Sequence, residues 1–435
     1  MNNNQKLSVR WTYMAVGVIS MLFAGVLYAW SILKSPLAAE FGWSTSELAL
    51  NFTLAMTFFC IGGLLGAQVS KRLGHRTALI SAGVLSAAGF VFTAVLNNAS
   101  VVMLYITYGV LAGLGIGIAY NVVIATVSAW FPDKKGLCSG CLMMGFGASA
   151  LILGNLADAM FKSNLGWRTT YIILGVSILV VLSLAGIILR KPTQDVVFPE
   201  SKGSKAQNNS DNQDFTSKQM LCKSSFWLAF ICISFLAAVG SSVISFAKDL
   251  ALSVNAPEAL AVSLVGILSV CNGVGRIITG AVFDVIGCRK TMIYANILTI
   301  CAAGVTLIAV SINALPLCII GVCLTGMSYG ACPTITAAFT SSFFGMKHFS
   351  DNMAIKQNAV RASKIQNTIS FFGLKYFSGN MALMTFTVMV GSFVATASNN
   401  VLEATGGYTA TFIMLVVLTF VALVLNIFIR KNKNS

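Results

Sequence analysis

Apolar runs close to twenty residues long, separated by short polar stretches, recur from one end of the 435-residue chain to the other. A helix rising about 1.5 Å per residue needs roughly 20 such residues to cross the hydrocarbon core of a bilayer. The pattern predicts twelve transmembrane helices, over residues 12–33, 48–69, 77–96, 101–129, 137–160, 169–189, 224–247, 259–283, 291–311, 315–343, 381–399 and 409–429. Between Arg190 and Lys223 the chain turns polar, with SKGSKAQNNSDNQD at its centre, and this linker divides the helices six and six. The expected fold is all-α and integral to the membrane. Residues 1–189 form a first six-helix half, 190–223 a linker and 224–435 a second six-helix half.

Short motifs recur between the halves, as in pseudo-symmetric carriers. LGHR at 73–76 returns as IGCR at 286–289, an offset of 213, and GWRTTYIIL at 166–174 returns as GYTATFIML at 407–415, an offset of 241. The difference, 28, equals the spacing of an internal duplication, TSSFFGMKHFSDNMAI from Thr340 and TISFFGLKYFSGNMAL from Thr368. One added unit of that size is therefore expected as an extra cytoplasmic loop at about 345–372, dispensable for the bundle.

Composition sharpens the class. The chain is 57% hydrophobic and 9% charged, against about a quarter charged in soluble domains. The net charge of +15 suggests nucleic acid until the charges are placed on the predicted topology. With the amino terminus in the cytoplasm, 23 of 28 Lys and Arg fall on the cytoplasmic side, and Lys34, Lys162, Arg168 and Lys248 fall outside. This positive-inside asymmetry explains the charge without nucleic acid and puts both termini in the cytoplasm of a plasma (inner) membrane protein. The first apolar segment lacks a small-residue cleavage site and reads as a retained helix. Cys138 and Cys141 form a CxxC with no His or second pair beside it, so packing is expected there, with no metal site and no cofactor.

Charges inside predicted spans are costly and therefore informative. Arg276, in VCNGVGRIITGAVFD, sits two turns before Asp284, about 12 Å from the cytoplasmic end. A guanidinium there can hold a carboxylate through two parallel hydrogen bonds, and Asn272, Gly273 and Gly275 leave room for close approach. Asp158, near the outer end of the fifth helix, is expected to be solvated. His75 and His348 both lie in loops, so no histidine relay for protons is evident in the spans. Aromatic candidates for the site are Tyr28, Trp30, Tyr120, Phe146 and Tyr329, and Gly62, Gly66, Gly113, Gly115 and Gly117 have helix-contact spacing. Asp284, Gly287 and Arg289 at the cytoplasmic end of the eighth helix form a candidate cytoplasmic gate.

GVLYAWSI (25–32), GIGIAYN (115–121), WFPDKKGLCSG (130–140), NGVGR (272–276) and DVIGCRKTM (284–292) together resemble the major facilitator superfamily, and within it the oxalate/formate antiporter family, related to the monocarboxylate carriers. The resemblance implies a twelve-helix bundle with a central cavity and alternating access. It further implies that Arg276 faces the substrate carboxylate, with Tyr28, Tyr120 and Tyr329 lining the cavity. Members that exchange dicarboxylates carry a lysine in the eleventh helix where this chain has Val388, so a monocarboxylate or another singly charged organic anion fits better than oxalate.

The expected function is thus secondary transport of a small organic anion, as an antiporter or an ion-coupled carrier. Its partners would be the anion, membrane lipid and a counter-substrate or proton. A metabolite sensor on a transporter scaffold would be expected to carry a signalling domain, whereas the chain closes on RKNKNS. An inactive carrier is the reading that the duplication keeps open. No nucleophile triad or phosphate loop points to an enzyme.

Overall fold

The computed structural model describes residues 3–97, 100–131, 135–190, 192, 217–344 and 366–429. Among them the chain is helical throughout, without strands. Eleven of the described helices are long and apolar enough to cross a membrane. They are α1 (Val9–Phe41), α2 (Thr45–Arg72), α3 (Gly74–Ala94), α4 (Val101–Ser128), α5 (Gly140–Phe161), α6 (Gly166–Ile188), α7 (Ser224–Ser253), α8 (Glu258–Phe283), α9 (Val285–Ser311) and α10 (Leu315–Thr336). Tyr408–Phe428, the last of the eleven, is α12. The expected span 381–399 lies inside a further helix, α11 (Gln366–Thr405).

Which helices face lipid follows from what they bury. The most apolar windows of α7 and α1 are 78% and 72% buried, so these helices are central, whereas α12 buries 33% and α6 and α9 bury 39% each. On α6, Ile172, Val176, Val180, Leu184 and Ile187 are exposed, and on α12, Ile413, Val417, Phe420 and Val424. In water such stripes would be aggregation sites; in hydrocarbon they cost nothing.

The glycine spacing noted in the sequence builds the α2–α4 contact. A Cβ on Gly62 would meet the Leu114 carbonyl oxygen at 2.3 Å and one on Gly117 the Phe59 carbonyl oxygen at 2.1 Å, so only glycine lets these backbones touch. The first six and the last six helices meet along two seams, α2 with α11 and α5 with α8. Across the first, Thr53 Oγ1 donates to the Ser392 carbonyl at 2.5 Å.

Several helices depart from regular geometry in ways hydropathy does not reveal. α1 tightens to a 3-10 turn at Gly25–Ala29, α4 and α5 contain π-turns at Tyr105–Ala112 and Ala150–Gly154, and α7 bends at Phe246 (φ −133°, ψ 19°). Such turns inside long helices redirect side chains and are frequent near functional sites.

Two expectations are corrected. Lys34 and Lys248, assigned to outer loops, lie within α1 and α7 and are only 5% and 7% exposed. Asp158, expected to be solvated, is 9% exposed and ion-paired. Of the expected extra loop at about 345–372, residues 345–365 lie outside the described residues, and from Gln366 the chain is helical, so that the second repeat copy lies in α11.

Candidate functional site

Arg276 projects from α8, deep in the protein yet with some accessible surface. Its Nε donates to Asn272 Oδ1, one turn earlier, at 3.0 Å, and its Nη1 reaches Met143 Sδ on α5 at 2.7 Å. Tyr120 on α4 donates to the same sulfur at 3.2 Å. Tyr28, Tyr120 and Tyr329 all stand close enough to interact electrostatically with the guanidinium. Among the described residues no carboxylate pairs with Arg276. Its acceptors are an amide oxygen and a thioether, both neutral.

The aromatic side chains form one connected group. The Tyr28 ring lies 5.0 Å from Phe146 and 6.2 Å from Tyr329. Tyr120 lies 5.2 Å from Phe146 and 5.0 Å from Phe59. Tyr28, Tyr329, Phe146 and Asn272 are buried, while Tyr120, Phe59 and Met143 are partly buried. The group draws on α1, α2, α4 and α5 from the first six helices and on α8 and α10 from the last six. It therefore sits on the seam between them.

Local sequence explains the convergence. Tyr28 is carried by the 3-10 turn of α1, which is buried along its whole length. α8 and α10 touch backbone to backbone because Gly330 has no side chain: a Cβ there would fall 2.0 Å from the Asn272 carbonyl oxygen. This contact sets Tyr329 beside the Arg276 turn. On the opposite side, a Cβ on Gly147 would meet the Ser269 carbonyl oxygen at 2.4 Å, which draws α5, with Met143 and Phe146, against α8.

Of the residues expected from sequence, Arg276, Asn272, Tyr28, Tyr120 and Tyr329 come together. Trp30 does not, and its expected substrate contact is withdrawn. Its indole donates to the Leu48 carbonyl at 3.0 Å, packs on Tyr108 with centroids 4.6 Å apart, and is fully buried in the α1–α2–α4 core. Phe59 and Met143 were not anticipated, and nothing in one dimension separates them from packing residues. The candidate gate residues stand apart, at the α8–α9 junction. Gly287 takes φ 77° there, a conformation that favours glycine, and Arg289 Nη2 donates to the Ile427 carbonyl of α12 at 3.3 Å. The Asp284 side chain lies outside the described residues.

A second polar constellation was only half legible. Between described residues, the ion pairs all lie at the face of the bundle opposite the termini. Lys34 pairs with Asp249 at 2.7 Å; Lys162 pairs with Asp158 at 2.8 Å and Glu258 at 3.1 Å; Lys248 lies 3.6 Å from both Asp158 and Glu258; Arg168 pairs with Glu40 at 2.6 Å. Lys34–Asp249, Lys162–Glu258 and Lys248–Asp158 each join the first six helices to the last six. Ser46 on α2 adds a hydrogen bond to Glu403 at the end of α11. Lys162, outside the spans, is held above the usual lysine range, chiefly by its hydrogen bond to Asp158.

The architecture has known counterparts. The backbone superposes on the nucleoside transporter NupG with a TM-score of 0.67 at 11% identity, covering 97% of this chain and 100% of that one. It superposes on the xylose transporter XylE of Escherichia coli with a TM-score of 0.64 at 14% identity, covering 98% and 99%. In sequence it is 31% identical over 304 residues to the oxalate:formate antiporter of Oxalobacter formigenes, 67% of this chain and 69% of that protein. It is 25% identical over 350 residues to the uncharacterized MFS-type transporter YhjX of Escherichia coli, 80% and 83%. Monocarboxylate transporter 12 of Mus musculus matches at 28% over 251 residues, 53% of this chain and 50% of that protein. The family model of the Major Facilitator Superfamily matches residues 12–374, and the chain, a multi-pass integral membrane protein, belongs to that superfamily.

Proposed function

We propose that the protein is a secondary carrier that moves a small organic monoanion, in the first instance a monocarboxylate, by alternating access. The carrying observation is Arg276, a cation deep in the bundle whose acceptors among the described residues are all neutral. Taking a guanidinium out of water is expensive unless a charged acceptor compensates it, and a carboxylate from solution is that acceptor. Tyr28, Tyr120, Tyr329 and Asn272 supply hydroxyl and amide donors around the bound anion, and Phe59 and Phe146 supply apolar walls. Relatives named for oxalate, formate and monocarboxylates support the carboxylate class.

A single cation favours a single carboxylate. Val388 is packed against the hydrophobic core, and residues 386–405 of α11 contain no lysine or arginine. The positive-inside pattern supports a plasma (inner) membrane orientation with both termini in the cytoplasm. The six-plus-six division around the 190–223 linker would supply the two rigid bodies that rock about the site, with Asp284, Gly287 and Arg289 closing the cytoplasmic side. A counter-substrate or a proton would couple the movement.

The test is counterflow in proteoliposomes loaded with formate, acetate, lactate, oxalate or malonate. Monoanions should exchange at least about tenfold faster than dianions, because the second carboxylate of a dianion would enter without a partner. Preferential exchange of dianions would overturn the monoanion assignment.

A further inference from the structure

We infer that Met143 is a specificity-determining residue whose sulfur occupies the place that the substrate carboxylate takes. The inference rests on the anion-site reading of Arg276 and deepens it. Two strong donors from different helices, Arg276 Nη1 at 2.7 Å and Tyr120 Oη at 3.2 Å, converge on this one sulfur. A thioether is among the weakest acceptors in proteins, whereas hydrogen bonds from a guanidinium and a phenol to a carboxylate are charge-assisted and about twice as strong as neutral ones. The donor geometry is therefore suited to an oxygen anion, and methionine keeps it assembled without competing hard for it.

Position and flexibility fit the role. Met143 lies on α5 one turn before Gly147, which brings α5 against α8, and one turn after Gly140, beside Ile277. Its side chain is partly buried rather than sealed, and its three rotatable bonds let the thioether swing aside without moving the helix. The volume it vacates is volume the anion can use. The length of residue 143 therefore sets how large a monoanion reaches Arg276, while its acceptor strength sets how easily that anion wins the two donors.

Both consequences can be measured on the full-length carrier in proteoliposomes, with acetate, butyrate, hexanoate and benzoate as probes and Arg276→Ala run alongside. Met143→Gln places an amide oxygen of similar reach before the two donors, and the apparent affinity for acetate should fall about tenfold. Met143→Ala removes the occupying chain, and the ratio of hexanoate to acetate transport should rise about fivefold or more. Thermal unfolding of each variant reports on folding; if the alanine variant is lost to unfolding, the near-isosteric glutamine variant carries the test alone. Acetate affinity and size preference both within about twofold of the parent, with Arg276→Ala inactive, would overturn the role of Met143 and leave the anion site standing. Parent-like transport by Arg276→Ala would overturn the anion site and this inference with it.

Discussion

Replacing Arg276 by alanine should abolish exchange of the substrate anion while leaving the fold as stable as the parent or more so. Two hydrogen bonds to a charged partner contribute about 1.5–3 kcal/mol each, so losing a bidentate clamp should lower transport at limiting substrate by roughly 10²–10⁴-fold. Arg276→Lys should fall in between, since an ammonium keeps the charge but lacks the planar fork. The stability arm separates function from architecture. Among the described residues this guanidinium is held by Asn272 and Met143 with Tyr120 beside it, all neutral, so removing it relieves a desolvation cost and breaks no ion pair. Counterflow together with the thermal unfolding midpoint checks both arms. A variant that transports normally, or one that loses transport only because it unfolds, would contradict the role given to Arg276.

The second large effect is expected at the face opposite the termini. Lys34 and Asp249 join α1 to α7, and the lysine is buried while the aspartate side chain is 40% exposed. Lys34→Asp would set two carboxylates against each other where a pair now stands. Truncating one partner of a buried pair costs about 3–5 kcal/mol, and the exposure of Asp249 reduces this to about 1–3 kcal/mol. A change of that size moves a two-state equilibrium by roughly 5–150-fold. Lys34→Asp should slow exchange by about tenfold or more, and the swapped pair Lys34→Asp with Asp249→Lys should recover most of the rate. Rescue is the discriminating result, because a general packing defect at α1 would not be repaired by a second substitution on α7. The same logic bears on Asp158. Paired with Lys162 and facing Lys248, it is a counter-ion to both lysines.

How much of this was legible in the sequence differs from element to element. Spans were visible because bilayer thickness converts directly into run length, and Arg276 was visible because a charge at depth is rare. The tyrosines around it emerged from the family resemblance, and the structure brings them to the same place. Trp30 misled because it lies only two positions after Tyr28. Two residues along a helix turn the side chain to the far side, here onto Tyr108 and Leu48. Lys34 and Lys248 looked like loop residues because the apolar runs stop before them, but α1 and α7 continue past those runs, and their ammonium groups find carboxylates across the seam. Phe59 and Met143 carry no one-dimensional mark, since helices throughout this chain are rich in such residues. Their role is a matter of which neighbour each meets.

Whether the guanidinium of Arg276 holds a carboxylate from solution is decided by competition between an anion and its neutral amide. Exchange of labelled acetate in proteoliposomes would be measured against unlabelled acetate and against acetamide, which has a similar shape and no charge. Acetate should compete, and acetamide should not, even at concentrations at least about a hundredfold higher. Equal competition by acetamide would contradict this role of Arg276.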